Sequence, residues 1–222
     1  MPEESSEGNL VTTVSGPASL VSVIVPTLNE ADHIATTVAA ARRNYDPKQV
    51  EIIVVDGGST DDTVGRVPGD VRTISSPPGR AQQMNRGAAA ARGESLVFCH
   101  ADTRLPLGWR EAVVEALSDA NVSGGSFAIR LEPARGVLHF LNALSYPADW
   151  RLMYGDQAQF TPRAAFEQVG GYPDILIMED LEMMRQLNRV GRLVRIPLPV
   201  VSSSRRFLAR GPLRQFLLEI GR

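Results

Sequence analysis

The chain of 222 residues holds one cysteine, Cys99. A single thiol permits no internal disulfide and no cysteine metal cluster. Histidine is nearly as scarce, at three residues, and aromatic residues make up 6% of the chain. No apolar run approaches the ~20 residues of a membrane-spanning helix. Lysine plus arginine (23) nearly balance aspartate plus glutamate (25), a formal net charge of -2. No broad basic field therefore draws the chain to nucleic acid or to an anionic membrane. No internal repeat, low-complexity segment or linker-like stretch divides it. Residues 1–19 carry Glu3, Glu4 and Glu7 among serines and glycines. They lack the basic start and apolar middle of a signal peptide. They are expected to be a disordered tail, and the protein is expected in the cytoplasm.

What is present is ordinary globular material: 43% hydrophobic and 22% charged residues. Its length suits one sizeable core, since domains of this type reach ~200–250 residues undivided. Apolar, β-branched runs at 20–25, 50–55 and 95–99 read as strands buried on both faces. Between the first two, Ile34, Val38 and Ala41 recur at helical spacing, with Asn29 read as a cap. That is β-α-β, which implies parallel strands and a right-handed crossover. A short helix opening at Asp61 and Asp62, a short strand at 71–74, an alanine-rich helix at 80–92 and a helix at 108–118 continue the alternation. Beyond residue 120 it loosens. An alternating, antiparallel or edge strand is expected at 126–130, helices at 136–144 and 163–169, and a strand at 157–160. Leu181, Met184, Leu187 and Val190 mark a helix stopped by Gly191, and a last strand follows at 192–196. The fold class is α/β, a mostly parallel central sheet flanked by helices, with a small mixed region.

Three polar loops fall at carboxyl ends of parallel strands, where open α/β sheets gather ligands. Residues 26–30 follow the first, 56–62 the second and 100–102 the fourth. Asp56 suits a base N–H or a ribose hydroxyl, and Gly57 and Gly58 let backbone approach a ligand. By itself Asp56 also reads as a turn former. Asp102 can hold a hard cation against a diphosphate, or simply belong to a polar loop capping the next helix. Glu179, Asp180 and Glu182 open a helix, where acids stabilise the dipole whatever else they do. Asp156 and Gln157 can bind hydroxyls or form an ordinary turn into a strand.

Residues 23–30 (VIVPTLNE) and 53–61 (IVVDGGSTD) resemble the opening of family 2 glycosyltransferases of the GT-A, Rossmann-like fold. Residues 80–87 (RAQQMNRG) and 92–94 are similar to the stretch before that family's Asp-X-Asp motif, whose place His100-Ala101-Asp102 takes. Gly170-Gly171-Tyr172 and Met178-Glu179-Asp180-Leu181 resemble its acceptor-side segment. The resemblance implies a domain at 20–222: a donor-binding half at about 20–120, an acceptor half at about 121–200, and a basic loop and helix at 201–222. It implies sugar transfer from a nucleotide-diphosphate donor, UDP- or GDP-linked, to an acceptor, usually with inversion. By position, Pro26, Thr27, Glu30, Asp56 and Arg80 would hold the nucleoside, and His100, Ala101 and Asp102 would complete the donor site. Asp102 would bind Mg²⁺ or Mn²⁺, Asp180 would be the general base, and Glu179 an acceptor contact or a supporting group.

The sequence departs from the family pattern twice. His100 replaces the first acid of the motif; a neutral imidazole still makes a hydrogen bond to a ribose, but brings no charge to a metal. No histidine follows His139, and Arg205 and Arg206 come after the last strand instead. Two arginines can clamp a diphosphate; a solvated basic loop is an equal reading. The stripe Leu213, Phe216, Leu217, Ile220, interleaved with Arg210, Arg214 and Arg222, suits a membrane surface or packing on the domain. Two rival functions remain. A sugar nucleotidyltransferase would want a glycine-rich, lysine-containing phosphate loop after the first strand, which residues 26–30 lack. A nucleotide-sugar-binding module without catalysis would tolerate His100.

Overall fold

The computed structural model describes residues 19–134, 148–175 and 177–204. The expectations for the N-terminal tail, the helix at 136–144, Arg205, Arg206 and the C-terminal stripe lie outside them. Eight strands form one sheet: β1 (Val21–Thr27), β2 (Val50–Asp56), β3 (Arg72–Ser75), β4 (Ser95–Phe98), β5 (Thr103–Arg104), β6 (Val122–Glu132), β7 (Gln159–Pro162) and β8 (Arg192–Ser203). Their spatial order is β3-β2-β1-β4-β7-β6-β8-β5. The four strands from β3 to β4 are parallel. Beyond them β7 runs antiparallel to both β4 and β6, while β8 is parallel to β6.

Successive strand residues point to opposite faces, and both faces are covered. Val21, Val23 and Val25 pack with Ile34 and Val38 of α1 (Ile34–Arg42) and with Trp109, Val113 and Leu117 of α3 (Trp109–Leu117). Ile24, Ile53 and Val55 pack with Ala81, Met84 and Ala88 of α2 (Arg80–Ala90). The same layer takes Phe166 of α4 (Arg163–Gln168) and Met183, Met184 and Leu187 of α5 (Glu179–Val190). Helix α2 lies close on the sheet because Gly87 has no side chain; a Cβ there would collide with Ile24 and Val55. Cys99 is a buried core thiol, its pKa pushed up by burial and by the nearby Asp102 charge.

Register positions the site. Thr27 stands beside Asp56 across the β1–β2 pair, and Ile24 beside Phe98 across β1–β4. The three loops read from the sequence therefore emerge side by side at one end of the sheet.

Local expectations differ from the structure in several places. Asn29 caps no helix: it sits at φ 55°, and its Oδ1 accepts from Thr60 N at 2.8 Å, bracing the neighbouring loop. Asp61 and Asp62 open only a short 3-10 turn, Val64–Arg66, because Asp61 instead accepts from Ala31 N and Thr63 N. The strand expected at 126–130 is longer and interior, lying between β7 and β8. The last strand continues to Ser203 despite Pro197 and Pro199, since β8 skips two residues against β6 between Ile196 and Pro199. A bulge of this kind accommodates prolines, which cannot donate to a ladder.

Candidate active site

A crevice of about 740 Å³ opens at the carboxyl ends of β1 and β4. One wall is the loop after β1, with Pro26, Thr27, Leu28 and Glu30. A second is the start of α2, from Gly79 to Gln83, and a third is His100, Ala101 and Asp102. The segment before α5, including Met178 and Glu179, closes the fourth side. Most residues expected at a donor site thus converge, although they come from three loops and two helix starts.

Their contacts separate the groups that hold the walls from those that face the crevice. Gln83, which the sequence reading missed, donates its amide to Thr27 O and Val55 O, both at 2.8 Å. It ties the ends of β1 and β2 together. Asp56 is not in the crevice wall. Its carboxylate accepts from Gly58 N at 3.1 Å, Ser59 N at 3.1 Å and Ser59 Oγ at 2.5 Å. Those bonds make Asp56 a former of its own turn. Ala101 O accepts from Thr37 Oγ1 at 2.6 Å, fixing the third wall on α1. Thr27 Oγ1, by contrast, is buried and finds no partner among the described residues. A buried hydroxyl without a partner is costly, and this one belongs to a residue lining a ligand-sized crevice.

Of the residues expected as acceptor contacts or base, Glu179 lines the crevice at the first turn of α5, and Asp156, Gln157 and Asp180 do not. Met178 precedes that turn at φ 67°, a left-handed conformation that side chains beyond glycine and asparagine rarely adopt. Glu179 pairs with Arg80 across the crevice, Nη1 to Oε1 at 3.1 Å. Burial raises the pKa of Glu179; Arg80 opposes that shift, and the Asp180 charge adds to it. Asp180 is 8% exposed, and its Oδ2 accepts from Gly155 N at 2.7 Å. Gly155 begins the 3-10 turn Gly155–Gln157. A Cβ on Gly155 would stand 2.8 Å from His100 Nε2 and 3.3 Å from Asp180 Oδ2. The place of the donor motif and the carboxylate of α5 therefore meet around one residue without a side chain.

Gln157 corrects an expectation. Its Oε1 accepts from Ser126 Oγ at 3.1 Å and from Arg195 Nη1 at 2.7 Å, and its Nε2 donates to Leu152 O at 2.9 Å. Buried and so engaged, its amide braces the turn, the other role the sequence offered it. Asp156, its neighbour, stays half-buried at the same turn. Among the described residues, no three His, Cys, Asp or Glu side chains gather closely enough to hold a metal ion. No helix among them is long and apolar enough to cross a membrane.

A mixed sheet with a parallel half, a crevice at the carboxyl ends of its parallel strands and an acidic helix start beside it make up a GT-A domain. The profile described as "Glycosyl transferase family 2" matches residues 22–166, and the chain belongs to that family of glycosyltransferases. It is similar to "Uncharacterized glycosyltransferase Rv1514c" of Mycobacterium tuberculosis, 34% identical over 181 residues, which cover 75% of this chain and 68% of that protein. Among solved structures, it resembles a mannosyltransferase from Pyrobaculum calidifontis in complex with GDP-Man and Mn²⁺ (TM-score 0.65, 22% identity, 87% of this chain and 59% of that one). It also resembles glucosyl-3-phosphoglycerate synthase from Mycobacterium tuberculosis in complex with Mn²⁺, UDP and its product (TM-score 0.60, 20% identity, 91% and 80%). The likeness to both is one of fold. The chain spans about three fifths of the length of the Pyrobaculum structure.

Proposed function

We propose that the chain transfers a sugar, with inversion, from a UDP- or GDP-linked donor to an acceptor hydroxyl, with Asp180 as general base. The observation that carries this is the Gly155 meeting point, which sets a held carboxylate against the donor motif. A hydroxyl is a poor nucleophile until a positioned base takes its proton. As the acceptor oxygen bonds to the anomeric carbon, the proton passes to Asp180 and the bond to the donor phosphate breaks. Its electron pair leaves with the nucleoside diphosphate. One base on the face opposite the leaving group suffices.

In this reading Pro26, Thr27, Glu30 and Arg80 line the nucleoside and phosphate region, with Thr27 Oγ1 supplying a hydrogen bond. Asp56 acts mainly by shaping the loop beside it. His100 and Ala101 form the wall nearest the ribose and sugar. The first turn of α2 opens on the crevice, where free N–H groups and Arg80 favour an anion. Asp156 and Glu179 face the acceptor, a small molecule, glycan or lipid-linked group.

The donor set suits a divalent cation only if it is shared with substrate. Asp102 offers one hard oxygen ligand on the wall, and diphosphate oxygens would supply others, an arrangement usual for Mg²⁺. When bound, Mg²⁺ or Mn²⁺ would offset the charge on the departing diphosphate. Arg80 and the α2 N-terminus act on the same charge.

The test is a thermal-shift panel of UDP, GDP and their sugars with Mn²⁺ or EDTA, followed by donor hydrolysis with water standing in for the acceptor. Ligands of the native state raise its melting temperature. Stabilisation by one nucleotide diphosphate, dependent on Mn²⁺ and lost in Asp102→Asn, supports the donor site and its metal. Equal stabilisation in EDTA removes the metal from the reading. Binding without any turnover favours the binding-module alternative, for which His100 speaks.

A further inference from the structure

Beneath the start of α5 lies a buried amide to which the reaction as described assigns no role. Gln159, the first residue of β7, is 0% exposed in the interior of the sheet. Strand interiors favour β-branched and aromatic residues, and a buried amide is tolerated only where it is hydrogen-bonded. Gln159 Nε2 donates to Met153 O at 2.7 Å and to Asp180 O at 3.3 Å. Its Oε1 accepts from Tyr172 Oη at 2.9 Å. Tyr172 is itself held by Asn85 of α2, which accepts from Tyr172 N at 2.9 Å and donates to Tyr172 O at 2.7 Å. One side chain thus joins three stretches distant in sequence.

Two of those stretches matter to the Asp180 carboxylate. Its backbone carries the carbonyl that Gln159 contacts. Met153 lies two residues before Gly155, whose N–H holds Asp180 Oδ2 at 2.7 Å. Gln159 therefore grips both the residue bearing the carboxylate and the segment leading into the turn that aims it. We infer that Gln159 is a positioning residue for Asp180. The inference rests on the reading of Asp180 as the general base. Misplacing a reacting group by about 1 Å costs up to ~10²-fold in rate.

Gln159→Met keeps the length of the side chain and removes its hydrogen bonds. The variant is compared with the parent, alone and combined with Asp180→Asn, in Mn²⁺-dependent hydrolysis of the UDP- or GDP-sugar that binds. Exchange of the Gly155 amide proton is followed by NMR. In the single variant, kcat should fall at least about tenfold with donor KM within about twofold. Gly155 exchange should accelerate about tenfold while the amides of β1 stay protected. Beside Asp180→Asn, the second substitution should lower kcat no further, since groups acting through one another are non-additive. If Gln159→Met does not fold, Gln159→Glu is used: it retains an acceptor for Tyr172 but cannot donate to both carbonyls. A folded variant with unchanged kcat and unchanged Gly155 exchange overturns the inference. So does a loss of kcat that is equally large in the Asp180→Asn background. Wild-type turnover in Asp180→Asn alone would instead sink the base assignment, and Gly155 exchange would still report whether Gln159 holds the turn.

Discussion

The two ends of the parallel strands are built from the same strands and treat polar groups in opposite ways. At the amino end, Ser22 Oγ donates to Glu51 Oε2 at 2.7 Å, and Arg92 donates its backbone N and its Nε to Glu51, both at 2.8 Å. Gly93 N closes the set by donating to Ser22 Oγ at 2.8 Å. Arg110, buried nearby, caps Ser19 O and Gln49 O. At the carboxyl end, Thr27 Oγ1 and Ser76 Oγ find no partner among the described residues. Asn29 and Met178 hold left-handed backbone there, and Glu179 is a carboxylate that its surroundings disfavour as a charge. Left-handed backbone and a carboxylate disfavoured as a charge thus stand beside the crevice, while the amino end carries a closed network around Glu51. Unpartnered buried atoms do not themselves distinguish the ends: among the described residues Ser95 Oγ and Arg163 Nη2 lack partners near the amino end, where Asn44 is also left-handed.

The sharpest break of this comparison is chemical. Asp180→Asn should lower donor turnover by ~10²–10⁴-fold, because an amide cannot take the proton. Stability should change by less than ~1 kcal/mol, since an asparagine oxygen can still accept from Gly155 N and only the charge beside the helix dipole is lost. Turnover and melting temperature on one preparation check both halves; near-wild-type turnover removes Asp180 from the mechanism. The mirror experiment is Glu51→Ala at the other end. It leaves the Ser22 hydroxyl and the Arg92 amide without their acceptor and should cost about 1–3 kcal/mol. Nucleotide affinity should not move. Denaturant unfolding and nucleotide titration read this, and a matching loss of affinity would show that the two ends are coupled.

A smaller effect separates a waiting hydroxyl from an incidental one. Thr27→Val should weaken nucleotide binding by about 3- to 10-fold, the worth of one hydrogen bond, and leave the melting temperature unchanged or higher. Ser95→Ala should match it in stability and leave binding alone. Equal binding in both variants would mean that the Thr27 hydroxyl meets no ligand.

The smallest effect is in pH dependence, where the two buried carboxylates have opposite signs. Burial pushes the Glu51 pKa up, but the Ser22 and Arg92 hydrogen bonds outweigh it and leave the value lowered. Its contribution to stability is therefore present above the ordinary carboxylate pKa and lost as pH falls through the folded value. The Glu179 pKa is raised, so its contribution is present in acid and lost as pH rises through that raised value. Melting curves between about pH 3 and 7 should show Glu51→Gln losing the acid-side decline and Glu179→Gln losing the opposite one. Identical slopes in the two variants would contradict the contrast between the ends.

Much of this was legible in local pattern. The β-branched runs, the polar loops after them and the periodic stripe of α5 set out the strands, the end of the sheet where the crevice opens and the position of Asp180 at a helix start. These are short-range signals: alternation, capping and turn chemistry act within a few residues. The errors were local readings that distant partners overrode. Asn29 braces a loop, and Gln157 is held by Ser126 and Arg195.

By itself, then, the amino-acid order determined the parallel half of the sheet, the family and the set of candidate residues, because each is encoded in contiguous stretches. Only the tertiary structure decided which of those residues face one another. Arg80 reaches Glu179 across 99 positions, Asn85 reaches Tyr172 across 87, and Gln159 lies under Asp180 across 21. Such pairs leave no local trace, since side-chain amides and carboxylates read alike whether they meet water or one another. Sheet order and helix placement bring them within 3.5 Å, and one of these pairs, Arg80 with Glu179, thereby closes part of the crevice wall.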